Sequence, residues 1–200
     1  MIHKSISDII TKINKSSYSR ASTQYVKSKG WHDIIAVEIG VREGYNALNM
    51  LRTLDIKTLY LIDPYITYRQ GEKVVERNRY LPYGDTEFNN AKELLSQYND
   101  KTVWIRKTSD DAVNDIPNVD FVYIDGNHDY EFVKRDLQNY FPKTKLLAGH
   151  DWTNVGVARA VIEFTLENGL YDRLQKISNE RGSIDWVILN DSNEERNSNR

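Results

Sequence analysis

The sequence predicts an α/β fold: a doubly wound, mostly parallel, seven-stranded sheet with helices on both faces and a C-terminal antiparallel hairpin. Three observations predict it. Short β-branched apolar runs alternate with segments of helical periodicity from Ile34 onward. The first run stops at a glycine and turns straight into a helix, at Val37-Glu38-Ile39-Gly40-Val41-Arg42-Glu43-Gly44-Tyr45-Asn46. That strand–turn–helix puts backbone N–H groups and a helix N-terminus at the top of a sheet. The last two runs are so closely joined that they must pair antiparallel.

Each element has a local reason. Ser5 or Ser7 can cap a first helix carrying Ile6, Ile9, Ile10 and Ile13 on one face. Residues 1–30 form an accessory N-terminal segment packed against the sheet or over the site, and Ser16 to Ser22 reads as a polar loop. The first strand is Ile34 to Ile39, and a helix follows from Tyr45 to about Leu54. The second strand, Thr58 to Ile62, ends at Asp63-Pro64. Residues 64–84 form an insertion holding Tyr65, Tyr68, Arg69, Lys73, Arg77, Arg79, Tyr80 and Tyr83. An insertion at a strand's C-terminal end lies where ligands bind, so these aromatics and cations suit an acceptor. The competing reading is a solvated loop with a short helix from Lys73 to Arg77.

Asp85 can cap the next helix, with Phe88, Ala91, Leu94, Leu95 and Tyr98 inward. The third strand, Val103 to Arg106, leads to Thr108-Ser109-Asp110-Asp111, which can border an adenine or cap a turn at Ala112 and Val113. The fourth strand, Phe121 to Ile124, runs into Asp125-Gly126-Asn127-His128-Asp129-Tyr130, and a helix with Tyr130, Val133, Leu137 and Tyr140 follows. The fifth strand, Leu146 to Ala148, ends in Gly149-His150-Asp151-Trp152. The last helix runs from Gly156 to about Glu167 and is closed by Gly169. Tyr171 to Ile177 and Ile184 to Leu189 form the hairpin.

The totals bound the function. The chain has 200 residues, 40% hydrophobic and 28% charged, which suits one soluble domain. We expect that domain to span residues 1–190, with the Asn- and Ser-rich residues 191–200 as a disordered tail. A net charge of −2 argues against nucleic acid as a partner. The absence of cysteine excludes disulfides, thiolate chemistry and cysteine-bound zinc, and fits a cytoplasmic location. No apolar run approaches the roughly 20 residues of a membrane span, and Met1-Ile2-His3-Lys4-Ser5 lacks a signal-peptide core. A homo-oligomer is compatible with all of this.

The chemistry gathers at strand ends, which form one rim in an open sheet. The spacing Glu38-x-Gly40-x-x-x-Gly44 differs from the Gly-x-Gly-x-x-Gly of dinucleotide sites. A carboxylate beside the turn repels phosphate and attracts an ammonium group, so the expected ligand has a cationic amino-acid end. Asp63, about 20 residues beyond the turn, is placed to accept hydrogen bonds from ribose hydroxyls; the plainer reading is a strand end. Asp125 and Asp151, with His150 as a candidate third ligand, supply donors suited to Mg²⁺. His128, three residues beyond Asp125, suits a general base. The plainer readings make His128 a helix-start residue, Asp129 an N-cap, and Trp152 core or pocket wall.

Together, Val37-Glu38-Ile39-Gly40 with Gly44, Asp63-Pro64, Ile124-Asp125-Gly126-Asn127-His128-Asp129-Tyr130 and Gly149-His150-Asp151-Trp152 resemble the class I S-adenosylmethionine-dependent methyltransferases, whose fold is Rossmann-like. The closest resemblance is to the metal-dependent branch that includes catechol O-methyltransferase and the macrolide-sugar O-methyltransferases, and it covers roughly Ile34 to Leu189. It implies that Glu38, Gly40 and Gly44 hold the methionine end of the cofactor, that Asp63 holds the ribose, and that Ser109 and Asp110 lie near adenine. It implies metal ligation by Asp125, His150 and Asp151, with Mg²⁺ expected, and His128 as base. An acidic residue is commoner at the position of His150. A histidine at the base position tilts the acceptor toward the hydroxyl of a sugar or other small-molecule alcohol. Two rivals are a nicotinamide-dependent oxidoreductase, disfavoured by the glycine spacing, and a member that binds cofactor without turnover.

Overall fold

A computed structural model describes residues 19–66, 84–180, 182 and 184–190, together with the backbone of 69–70 and 73–74. The expected helix over Ile6 to Ile13, most of the 64–84 insertion and the tail lie outside the described residues. Strands of the main sheet are β1 (Ile34–Ile39), β2 (Ile56–Ile62), β3 (Thr102–Ile105), β4 (Val119–Ile124), β5 (Thr144–Gly149), β6 (Leu174–Ser178) and β7 (Ile184–Leu189). Helices are α1 (Ala21–Ser28), α2 (Tyr45–Thr53), α3 (Asp85–Leu94), α4 (Ser109–Ala112), α5 (Tyr130–Tyr140) and α6 (Val155–Glu167).

The strand order is β3-β2-β1-β4-β5-β7-β6 in one seven-stranded sheet. Strands β1 to β5 pair in parallel, whereas β7 inserts antiparallel between β5 and β6. The doubly wound sheet with a reversed C-terminal hairpin is therefore present as the alternation of elements requires. The order reverses at β1, so the crevice beyond the C-terminal ends of β1 and β4 is the switch point where open sheets bind ligands.

Alternating strand residues feed two cores. Ala36, Leu59, Leu61, Phe121, Tyr123, Leu146, Ala148 and Val187 pack under α1, α2 and the end of α3. Val37, Ile39, Val122, Ile124, Leu147, Trp186 and Ile188 pack under α4, α5 and α6. Helices thus cover both faces. The central strands β1, β4 and β5 are buried nearly end to end because helices cover both of their faces.

Several local expectations are corrected. Ser22 lies in a helix, Ala21–Ser28, and not in a loop. Its N-terminus is served from across the molecule, where Asp185 Oδ2 accepts the Ser22 N–H at 2.9 Å and the Ser22 hydroxyl at 2.7 Å. Asp85 is the first residue of α3; the cap position is Gly84, whose N–H donates to Glu87 Oε2 at 2.8 Å. Tyr98 lies beyond that helix, in a 3₁₀ turn. Lys73–Val74 pairs with Arg69–Gln70 as a short antiparallel ladder, which excludes a helix starting at Lys73. Tyr171–Arg173 is a 3₁₀ turn that precedes β6. Strands β2, β4 and β5 each begin two residues earlier than their apolar runs suggest, because Ile56, Val119 and Thr144 are also buried.

Candidate active site

Glu38, Tyr123, Asp125, His150 and Asp185 share one parity along four neighbouring strands and their ends. They follow Ala36, Phe121 and Ala148, or precede Val187, on the α1–α2 side of the sheet. The strand ends are held close by main-chain bonds: Gly40 N–H to Ile62 O at 2.9 Å, Asp125 N–H to Ile39 O at 2.8 Å, and His150 N–H to Ile124 O at 3.2 Å. Glycine is obligatory at position 40. A Cβ there would lie 2.2 Å from the Asp125 carbonyl oxygen, and the residue has φ +86°. Gly149 plays the same part for the Trp186 ring, which a Cβ would meet at 2.3 Å. The Trp186 indole in turn donates to the His150 carbonyl at 3.1 Å.

Glu38 is 1% exposed, and its Oε1 accepts a bond from Asn46 Nδ2 at 3.0 Å. Glu38 Oε2 and Asn46 Oδ1 are buried without a hydrogen-bond partner among the described residues. Burial pushes the Glu38 carboxyl up to about 8, against the pull of the Asn46 bond. Two buried, unpartnered oxygens beside a glycine turn suit an incoming cationic donor. Gly44, with φ +79°, is the cap of α2 and packs against Ala91 and Leu95.

Asp63 is buried, and three main-chain groups occupy it. Val41 N–H and Arg42 N–H both donate to Oδ2 at 3.0 Å, and Tyr65 N–H donates to Oδ1 at 2.8 Å. Thr108 caps α4, accepting the Asp111 N–H at 3.3 Å. Asp110 bonds Asn139 at 3.0 Å and Arg135 at 3.1 Å, while the Ser109 carbonyl accepts the Tyr140 hydroxyl at 2.7 Å. The polar side chains after β3 therefore fasten α4 to α5, in line with the capping reading.

His128 brings the acidic residues together. Its Nε2 lies 3.4 Å from Asp125 Oδ1 and 2.9 Å from Asp151 Oδ2. The bond from His128 holds the Asp151 carboxyl below the usual carboxylate range, against the effect of burial. Asp125, His128 and Asp151 each offer one ligand atom, all within 4.8 Å of one another. Two oxygens and one nitrogen at that spacing fit a divalent cation. Asp151 is held at φ +54°, a left-handed conformation unusual outside glycine and concentrated at functional sites.

His150 is turned differently from the sequence expectation. It is not in that trio; its Nδ1 lies 2.9 Å from Asp185 Oδ1, and its Nε2 lies 3.6 Å from Asp151 Oδ1. Two residues that sequence reasoning missed complete the centre. Arg20, just before α1, places Nη2 3.0 Å from Asp125 Oδ2 and Nη1 4.0 Å from Asp185 Oδ1. Asp185, fully buried in β7, also faces the Tyr123 hydroxyl at 3.5 Å. Burial works to raise its carboxyl, but bonds from His150 and Ser22 prevail and hold it below the usual range. A charged residue at an inward position of the apolar run Ile184–Leu189 was the available signal.

Solved structures of similar fold include the O-methyltransferase from Bacillus cereus in complex with SAH, at TM-score 0.58 and 12% identity, covering 84% of this chain and 78% of that one. Another is M. capricolum TrmK with S-adenosylhomocysteine, at TM-score 0.56 and 15% identity, covering 84% and 67%. No curated protein sequence matches the chain. At such identities the likeness speaks for the fold. The family rests on sequence: a model described as a methyltransferase domain matches residues 37–152, more than half of the chain, from Glu38 through Asp151. The chain belongs to that family and is a class I S-adenosylmethionine-dependent methyltransferase.

Proposed function

We propose that the protein transfers the methyl group of S-adenosylmethionine to a hydroxyl oxygen of a small molecule, a sugar or other alcohol, with help from a divalent cation, expected to be Mg²⁺. The observation that carries this is the convergence of Asp125, His128 and Asp151 next to Glu38 and the glycine turn. Glu38 and Asn46 receive the cofactor's ammonium. Methyl transfer then needs the acceptor oxygen in line behind the methyl group and stripped of its proton. His128 is the group placed to take that proton, and Asp151 at 2.9 Å shares it through a charge-assisted bond. Asp125 and Asp151 would hold the ion, which when bound would acidify and orient a coordinated hydroxyl, leaving His128 to act as base. Asp185 fixes the His150 ring, and Arg20 offsets the charge of Asp125.

Structures described as RNA methylases share this fold. The acidic rim and a net charge of −2 favour a small acceptor over a polyanion. The test is S-adenosylhomocysteine release across a panel of hydroxylated small molecules, with RNA as the contrasting arm. His128→Ala is expected to lower turnover by a factor on the order of 100 to 10,000 while leaving S-adenosylhomocysteine binding intact. Asp125→Ala is expected to remove chelator-sensitive activity. Full activity in both variants, or turnover confined to RNA, contradicts the reading.

A further inference from the structure

We propose that Asp136, buried on α5, sets the purine specificity of the S-adenosylmethionine site by fixing the Ser109 hydroxyl as a hydrogen-bond acceptor for the adenine amino group; this rests on the S-adenosylmethionine reading. The loop after β3 stands beside the turn after β2, because the Asp63 N–H donates to the Ile105 carbonyl at 3.2 Å. A nucleoside with its ribose at the end of β2 has that loop as the neighbour of its base. One face of α5 is given over to the same loop. Asp136 and Tyr140, one helical turn apart, both bond Ser109. The Tyr140 hydroxyl donates to the Ser109 carbonyl at 2.7 Å, and the Ser109 hydroxyl donates to the Asp136 carboxylate. Arg135 and Asn139, each one residue earlier, hold Asp110 at 3.1 and 3.0 Å.

A carboxylate in this place is costly. Asp136 is 3% exposed, on the helix face that carries Val133, Leu137 and Tyr140 into the core. Burial pushes its carboxyl up to about 7, against the pull of the Ser109 bond; Asp110 adds to the rise and Arg135 opposes it. An apolar side chain would serve a fold that needed only contact between α4 and α5. What the ionised carboxylate adds is direction. It can only accept, so the Ser109 hydroxyl must turn its proton inward. The hydroxyl oxygen keeps its lone pairs for a donor arriving from the crevice, and Ser109 is only half-buried. Adenine brings a donor, its 6-amino group. Hypoxanthine brings a carbonyl at the same position, and two acceptors would then face each other. Without Asp136 the hydroxyl can rotate and serve either base. Asp136 is thus a positioning and specificity-determining residue, acting through Ser109.

Isothermal titration with S-adenosylhomocysteine and its deaminated analogue S-inosylhomocysteine tests this, at about pH 8 where the Asp136 carboxyl is mostly ionised. Wild type should bind the adenine ligand more tightly by about tenfold or more; equal affinities overturn the proposal. Asp136→Ala should bring that ratio down to about two or less. Asp136→Asn, which keeps an acceptor oxygen for Ser109, should retain most of it, and loss of the ratio there also overturns the proposal. A ratio that survives in Asp136→Ala, with both ligands weakened alike, shows that Asp136 only supports the fold and contradicts the assigned role. If Asp136→Ala does not fold, Ser109→Ala provides the test: it removes the acceptor and should lower the ratio to the same level, whereas an unchanged ratio overturns the proposal. Failure of wild type to bind S-adenosylhomocysteine would instead sink the cofactor reading itself.

Discussion

Single residues set the chemistry here, and Glu38 shows how. Its carboxyl, pushed from an ordinary 4.5 up to about 8 in the folded protein, retains its proton at neutral pH because burial disfavours the charge. The sign of the linkage follows. Between those two values the folded state binds more protons than the unfolded chain, so this contribution to stability is full below the lower value and is lost as pH rises through about 8. The ligand-free protein should therefore lose melting temperature from this source between pH 5 and pH 8.5 (roughly the window of that titration), and Glu38→Gln should flatten the profile. The cofactor's ammonium favours the ionised form. Affinity for S-adenosylhomocysteine should rise from pH 6 toward about 8 in wild type and stay level in Glu38→Gln; a level wild-type profile contradicts this role. Glu38, Asp125, His128 and Asp151 were legible because each sits at a strand end within a recognisable spacing. Arg20 and Asp185 were not, because they reach the centre from sequence positions with no local motif. Their contacts span 105 and 163 residues, from Arg20 to Asp125 and from Ser22 to Asp185.

At the scale of elements, the apolar runs that became strands were readable from β-branched content alone. Helix α1 was not. Ala21-Ser-Thr-Gln-Tyr-Val-Lys-Ser has little apolar periodicity, and its first-turn donor is satisfied by a carboxylate from the far hairpin. Tertiary capping of this sort leaves no trace in the local sequence. Asp185→Ala would strip partners from Ser22 and His150 inside the core. Breaking such a buried charged network costs about 3–5 kcal/mol, or roughly 6–20 °C of melting temperature in a chain of this size. Both thermal unfolding and protease sensitivity near α1 would register it. Helix α6 offers a milder contrast. Its cap is local: Asn154 Oδ1 accepts the Gly156 N–H at 2.9 Å. Asn154→Ala should cost about 1 kcal/mol, or roughly 2–4 °C. Because the Asn154 N–H also donates to the Asp151 carbonyl at 2.8 Å, this cap adjoins the strained site residue.

For the whole molecule, one topological fact organises the rest: the strand order reverses at β1, and Glu38, Asp125, His128 and Asp151 gather at the strand ends around that point. Two hydrophobic cores anchor the parallel strands on either side. Among the described residues no helix is long and apolar enough to cross a membrane. We read the crevice as a site for a nucleoside bearing an amino-acid end; the Val41 and Arg42 N–H groups of its glycine turn donate to Asp63. Thermal unfolding with S-adenosylhomocysteine and with NAD, each with and without Mg²⁺, reads this most directly. A ligand at 100 times its dissociation constant adds about 2.7 kcal/mol, or roughly 5–11 °C here. The account predicts that shift with S-adenosylhomocysteine, its loss in Glu38→Gln, and none with NAD. A shift with NAD alone would contradict it.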